Sequence, residues 1–266
     1  MPAAAQHVTP ACSVERLWSW NTHDRDPDGR CVVYWMARSQ RAVHNLAFDT
    51  ALDTANDLGL PLVVLFNLSA GPPENDLRHV RQMLVAFPEL AERVVRRGAA
   101  FAVRGYGARG ALSSALTRLR PAVVVTDEDA MPHARAARKR VAAAIDVPLV
   151  SVDADVLVPN RVIGTRQYAA RTLRPRIHKV LAQFEGELGS DRSRVTAEWP
   201  TGLELADGIE LWHDPARLLD DAWVTRTLAA ARAHGIADVA GVLDFPSGLA
   251  AARARLHQFV EHGLST

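Results

Sequence analysis

The sequence predicts an α/β fold, namely a five-stranded, parallel, doubly wound sheet followed by a helical connector. Five short runs rich in β-branched residues are almost continuously apolar, which is typical of strands buried on both faces. Segments with helical periodicity separate these runs. A strand–helix alternation of this kind implies parallel pairing through right-handed crossovers. The expected strands are Cys31–Met36, Leu62–Phe66, Ala100–Arg104, Ala122–Thr126 and Val147–Val152.

The helices between the strands are indicated by apolar stripes and by glycine stop signals. Alanines from Ala47 to Ala55 share one helical face with Leu58, and Gly59 then ends the first helix. Apolar residues three and four apart between 77 and 94 form a stripe that Gly98 closes. Shorter helices are expected over 108–119 and 132–145.

A different pattern begins after about residue 156. One helix with a basic face is expected over 165–187, and Pro175 should bend or break it. Residues 190–245 are predicted to form an irregular connector with a helix near 215–234. A last amphipathic helix, over 246–262, has no evident partner for its apolar face.

Composition excludes several classes of protein. The chain of 266 residues carries 31 Lys and Arg against 30 Asp and Glu, which excludes a strongly charged disordered tail protein. No apolar run approaches the roughly 20 residues that cross a bilayer, and the N-terminus does not have the pattern of a signal peptide. With only Cys12 and Cys31, neither a disulfide framework nor a cysteine zinc site is expected, and a cytoplasmic location is the prediction.

Candidate binding residues follow the strands, because ligands of open α/β sheets bind at the carboxyl ends of the strands. The turn 105–110 resembles a dinucleotide-binding turn, but it follows the third strand, which makes the signal weak. The acidic triplet 127–129 is explained equally well by a ligand contact or by capping of the next helix. The basic face over 171–179 is compatible with a phosphate contact and with a solvated helix surface. None of the histidines has metal-ligand spacing, so no metal site is predicted.

The segment 26–41 is the least generic part of the chain. Its Pro-Asp-Gly-Arg turn leads into Val-Val-Tyr-Trp-Met and a Gln-Arg pair. This segment resembles the N-terminal signature of the class II cyclobutane-pyrimidine-dimer photolyases, in the photolyase/cryptochrome family. Four more blocks resemble the same family in the same order, at 56–66, 75–84, 147–159 and 168–179.

The resemblance implies a function for each part of the chain. Residues 1–30 would form an N-terminal arm, 31–160 the α/β antenna domain, 161–245 an interdomain helix and connector, and 246–266 the start of a helical FAD domain. The chain would then supply the half of a deoxyribodipyrimidine photolyase that binds the antenna chromophore, a deazaflavin in the class II branch. By resemblance, the residues that bind this cofactor would be Met36, Arg38, Phe66, Leu68, Arg78, His79, Asp127 and Glu128.

The resemblance places the repair chemistry elsewhere. FAD and damaged DNA would bind only to the helical half, which is expected to lie outside this chain, so no catalytic residue is predicted here. That half could act in trans, or the helix over 246–262 could mediate self-association. The alternatives are a stand-alone nucleotide- or flavin-binding module and a non-functional truncated photolyase. Membrane binding is not expected.

Overall fold

A computed structural model describes residues 3–69, 76–190, 194–198, 209–212, 221–239 and 246–264. Its centre is a seven-stranded sheet with the order β1-β6-β5-β2-β3-β4-β7, in which β2 to β6 are mutually parallel. The predicted five-stranded parallel sheet is therefore confirmed. The strands are β1 (Leu17–Ser19), β2 (Cys31–Met36), β3 (Leu62–Asn67), β4 (Ala100–Arg104), β5 (Pro121–Asp127), β6 (Leu149–Val152) and β7 (Ile209–Trp212).

Two antiparallel strands extend the sheet at its edges, and neither was predicted. β1 pairs with β6, with Leu17 opposite Val152, and β7 pairs with β4, with Trp212 opposite Phe101. The expectation of an irregular connector over 190–245 is thus wrong at β7. Both strands are very short, and their pairing partners lie far away in sequence, so no local periodicity marks them.

Helices cover both faces of the sheet. α1 and α2 pack on one face through a cluster that includes Phe48 and Phe87, and α3 and α4 pack on the other through Leu116 and Val141. The strand order reverses between β2 and β5, which makes this the switch point of the sheet. The helices are α1 (Leu46–Leu58), α2 (Leu77–Arg96), α3 (Leu112–Arg118), α4 (Pro132–Ala142), α5 (Asn160–Ile163), α6 (Ala170–Phe184), α7 (Asp221–Ala233) and α8 (Leu249–His262).

Local sequence signals set the ends of the first helix. The Asn45 side chain accepts hydrogen bonds from the N–H groups of Ala47 and Phe48, which have no partner within the helix. Gly59 then ends α1 in the left-handed conformation, with φ of 62°, as glycine can without steric cost. The predicted stop of this helix at Gly59 is confirmed.

The basic helix differs from its prediction at its start and at Pro175. α6 begins at Ala170, five residues after the expected Thr165, and continues through Pro175 to Phe184. Pro175 therefore does not end it. Within the described ranges, none of the helices has the length and apolarity needed to cross a membrane.

Candidate functional site

A cavity of about 800 Å³ lies at the carboxyl end of the sheet. Its lining comes from the ends of β2, β3 and β5, from the loops that follow β2, β3, β4 and β5, and from α2, α3 and α4. Cavities of this volume hold ligands of the size of a cofactor or a drug. The cavity lies beside the switch point, where the topology of the sheet predicts a ligand site.

One wall of the cavity is apolar and comes from the α2 face of the sheet. Met36, Phe66 and Leu68 line it together with Val80 and Met83 of α2. The Phe66 ring is held edge-on against Phe87, with 4.8 Å between the ring centroids. This wall is therefore fixed by the core beneath it.

The second wall comes from the opposite face of the sheet. Trp35, which is buried, lies there with Ala137 and Val141 of α4. Successive strand residues point to opposite faces, so Trp35 and Met36 contribute to different walls at the same strand end. The cavity thus lies over the end of the sheet and offers apolar surface on two sides. Such a space can cover both faces of a planar ring system.

Polar groups surround this apolar interior. Gln40 and Ser69 lie at the rim, and neither side chain has a hydrogen-bond partner among the residues that the structure describes. His133 and Arg140 lie seven residues apart on α4, hence on one side of that helix. Within the described part of the chain, no carboxylate forms an ion pair with Arg140. The rim therefore offers hydrogen-bond donors and the Arg140 cation to a ligand with carbonyl, hydroxyl or anionic groups. It also contains the Asp129 carboxylate, which pairs with Arg38.

Four of the predicted binding residues line this cavity. Met36, Phe66 and Leu68 form its apolar wall, and His79 lies at its edge. His79 lies in the first turn of α2, and its side chain is oriented by Asp76, whose Oδ1 lies 3.1 Å from His79 Nδ1.

The two predicted arginines do not line the cavity. Arg38 is exposed and forms ion pairs with Asp129, at 3.1 Å, and with Asp155. Arg78 forms an ion pair with Asp76, also at 3.1 Å. Both guanidinium groups form ion pairs with carboxylates of the protein, and neither arginine is among the residues that line the cavity.

Asp127 is buried beneath the rim and does not line the cavity. Its Oδ1 accepts a hydrogen bond from the Tyr34 hydroxyl at 2.7 Å. Its Oδ2 accepts from the backbone N–H groups of Ala37 and Arg38, both at 2.8 Å, and of Ser39 at 3.2 Å. Burial raises the pKa of Asp127 above its usual value, although these hydrogen bonds oppose the rise. Asp127 thus fixes the loop that follows β2, and Ala37 of that loop lines the cavity.

Glu128 positions α4 on the sheet. Its carboxylate accepts hydrogen bonds from Arg138, at 3.1 Å, and from the Ser151 hydroxyl. Burial raises the pKa of Glu128. Arg138 also donates to the Asp127 carbonyl oxygen at 3.3 Å and lies over the Trp20 ring at 4.7 Å. Because α4 carries Ala137 and Arg140, this cluster determines where one cavity wall lies.

The glycine-rich turn after β4 is built around a cation. Arg104 Nη2 donates to the carbonyl oxygens of Ala108, at 2.9 Å, and of Gly110, at 2.6 Å. A phosphate-binding turn instead directs its N–H groups to the ligand. The carbonyl arrangement does not favour dinucleotide binding by this turn, although Tyr106 within it lines the cavity.

Several lining residues were outside the predicted binding set. Gln40 and Asn67 lie in the strand-end segments, so their positions could have identified them. Trp35, His133 and Arg140 could not be found in this way, because their place at the cavity depends on the packing of α4. Within the described ranges, no group of three or more His, Cys, Asp or Glu side chains is arranged to hold a metal ion.

Comparisons with known proteins show what this chain is similar to. Residues 32–198 match the family model described as DNA photolyase. A deoxyribodipyrimidine photo-lyase of Methanothermobacter thermautotrophicus is 31% identical over 208 residues, which cover 77% of this chain and 46% of that protein. Proteins of the same name from Potorous tridactylus and Arabidopsis thaliana are 34% and 30% identical, over 64% and 58% of this chain. The matches cover 32% of each of these two, so the chain spans less than half the length of these relatives.

Proposed function

Because this chain belongs to the DNA photolyase family, we propose that it supplies the antenna-chromophore-binding half of a class II deoxyribodipyrimidine photolyase. The observation that carries this proposal is the cavity of about 800 Å³ at the carboxyl end of the sheet. Its two apolar walls suit the faces of a planar ring, and the polar rim suits the oxygen atoms at the ring edge.

The proposed ligand is a deazaflavin, whose contribution when bound is the absorption of light. The protein residues would bind and orient it. Met36, Phe66 and Trp35 would exclude water from the ring faces, and Gln40 would donate hydrogen bonds to oxygen atoms at the ring edge. Arg140 would attract an anionic group, because it has no ion-pair partner among the described residues.

Repair of cyclobutane pyrimidine dimers would require a helical half that carries FAD and holds the lesion. We propose that this half acts together with the antenna half, either in a longer polypeptide or as a partner in trans. A cytoplasmic location is part of the same proposal, since the two cysteines are free in the structure, as they would be in a reducing compartment.

A fluorescence titration tests the ligand class. The purified chain is titrated with a deazaflavin, with FMN and with ATP, and its fold is checked by circular dichroism. We expect a saturable change in deazaflavin fluorescence at micromolar concentration and weaker responses to FMN and ATP. A folded chain without any deazaflavin response would overturn the proposal. Tighter binding of ATP or FMN would instead support a nucleotide- or flavin-binding module.

A further inference from the structure

The outer surface of α6 carries a dense positive charge. Residues 160–184 contain six Lys and Arg and no Asp or Glu. The whole chain has 31 basic and 30 acidic residues, so the remainder of it is net acidic. The positive charge is therefore a local feature of this helix and of the segment before it.

The helix is held in a way that presents these charges to solvent. Phe184 is buried, with Arg16 lying 5.6 Å from its ring centroid, and Leu173 and Ile177 are half-buried on the same side of the helix. The exposed cations are Arg171, Arg174, Arg176 and Lys179. In the described part of the chain, none of these four forms an ion pair, so the protein itself leaves their charges unneutralised.

An exposed aromatic side chain precedes the charged helix. Tyr168 has 84% of its surface exposed, more than any other large hydrophobic residue in the described ranges. The Arg166 guanidinium lies over its ring, 4.9 Å from the ring centroid. Cations beside an exposed aromatic ring are the combination with which proteins bind single-stranded nucleic acids.

We propose that α6 and Tyr168 form a binding surface for single-stranded nucleic acid. Arg171, Arg174 and Lys179 would contact phosphates, and Tyr168 would stack on an unpaired base. Arginine is well suited to this contact, because its planar guanidinium can bind a phosphate through two hydrogen bonds.

The same observations argue against a membrane surface. A helix that lies on a membrane buries an apolar face among the lipids. The large apolar side chains of α6 are half-buried or, for Phe184, buried, and its exposed residues are mostly charged or polar, with only the small apolar residues Ala170, Pro175 and Ala182 among them. This inference does not depend on the chromophore cavity, and it adds a contact outside the helical half to which damaged DNA binding is assigned above.

Fluorescence anisotropy with a labelled oligothymidylate of about 20 nucleotides tests the proposal. We expect saturable binding at low salt, with an affinity that falls as salt rises by a slope of about −0.7 per phosphate contact. The double variant R171E/R174E should bind at least about tenfold more weakly and show a smaller salt slope. The milder double variant R171Q/R174Q should also lower the affinity and the salt slope, but by less.

The matched control is R118E/R226E, which changes the charge of the chain by the same amount at exposed positions on α3 and α7. This control should leave the affinity within about twofold. Y168A should weaken single-strand binding by about tenfold and duplex binding much less, because stacking needs an unpaired base.

Absence of binding by the wild-type chain at low salt would overturn the proposal. An equal loss in the control variant would also overturn it, because the affinity would then come from net charge alone. An unchanged single-strand affinity of Y168A would refute the stacking contact.

Discussion

Asp127 helps to shape the candidate site, although it does not line the cavity. Both carboxylate oxygens accept hydrogen bonds, and three of the donors are consecutive backbone N–H groups of the loop after β2. The acidic triplet had two interpretations, ligand contact or helix cap. Asp127 instead joins the end of β5 to a neighbouring loop, a contact that no local pattern could indicate.

We predict that Asp127→Ala destabilises the protein by about 3 kcal/mol, since it leaves several buried donors without an acceptor. Asp127→Asn retains one acceptor oxygen and should cost less than half as much. Urea unfolding of the two variants and the wild type measures these differences. A loss below about 1 kcal/mol for Asp127→Ala would contradict the assigned role.

Asp53 provides a prediction about pH. Burial and the nearby Asp49 carboxylate raise the pKa of Asp53, while Arg97 opposes the rise. The native state therefore retains a proton that the unfolded state releases. Stability from this group is fully present below the usual carboxyl pKa and is lost as the pH rises through the raised value.

Asp53→Asn removes this titration, so it should stabilise the protein at neutral pH by about 0.5 kcal/mol, the scale of a like-charge pair one helical turn apart. The advantage should vanish in acid, where Asp53 is protonated in both states. Urea unfolding midpoints at acidic and neutral pH test this. An advantage of the same size at both pH values would show that the charge is not its cause.

At the level of elements, one carboxylate of α2 contributes to the attachment of α8. The Ala250 N–H group, in the first turn of α8, donates to Oε1 of Glu89 at 3.1 Å and to Oε2 at 3.3 Å. Glu89 also pairs with Arg93 at 2.9 Å. Leu256 and Phe259 of α8 are exposed.

We expect Glu89→Ala to increase hydrogen exchange in the first turn of α8 by about fivefold, since a lost helix cap costs about 1 kcal/mol. Glu92→Ala is the matched control, because Glu92 pairs with Arg96 in the same helix and has no described contact with α8. Equal exchange rates in the two variants would contradict the role of Glu89.

The elements also show what the sequence could and could not predict. β2 to β6 are buried on both faces, so their continuous apolar runs marked them clearly. β1 and β7 have three and four residues and include the exposed Trp18 and Glu210. Their formation depends on pairing with distant strands, which leaves no periodic signal in the sequence.

For the whole molecule, the position of the site could be predicted, and its complete lining could not. Parallel topology places the ends of β2 and β3 together, and Met36, Phe66 and Leu68 do lie at the cavity. The remaining wall depends on how α4 packs on the sheet, to which the Glu128–Arg138 contact and the buried Val141 contribute. Ion pairs within the protein also could not be predicted from the sequence. Arg38, for example, pairs with Asp155 and does not line the cavity.

The central claim is that a deazaflavin binds in the cavity at the carboxyl end of the sheet. Ala137→Phe places a ring in that cavity, whereas Ala143→Phe adds the same ring at an exposed position just after α4 that does not line it. The decisive measurement is the deazaflavin dissociation constant of these two variants by fluorescence titration. We predict at least about tenfold weaker binding for Ala137→Phe and wild-type binding for Ala143→Phe. Wild-type affinity in a folded Ala137→Phe variant would contradict the central claim.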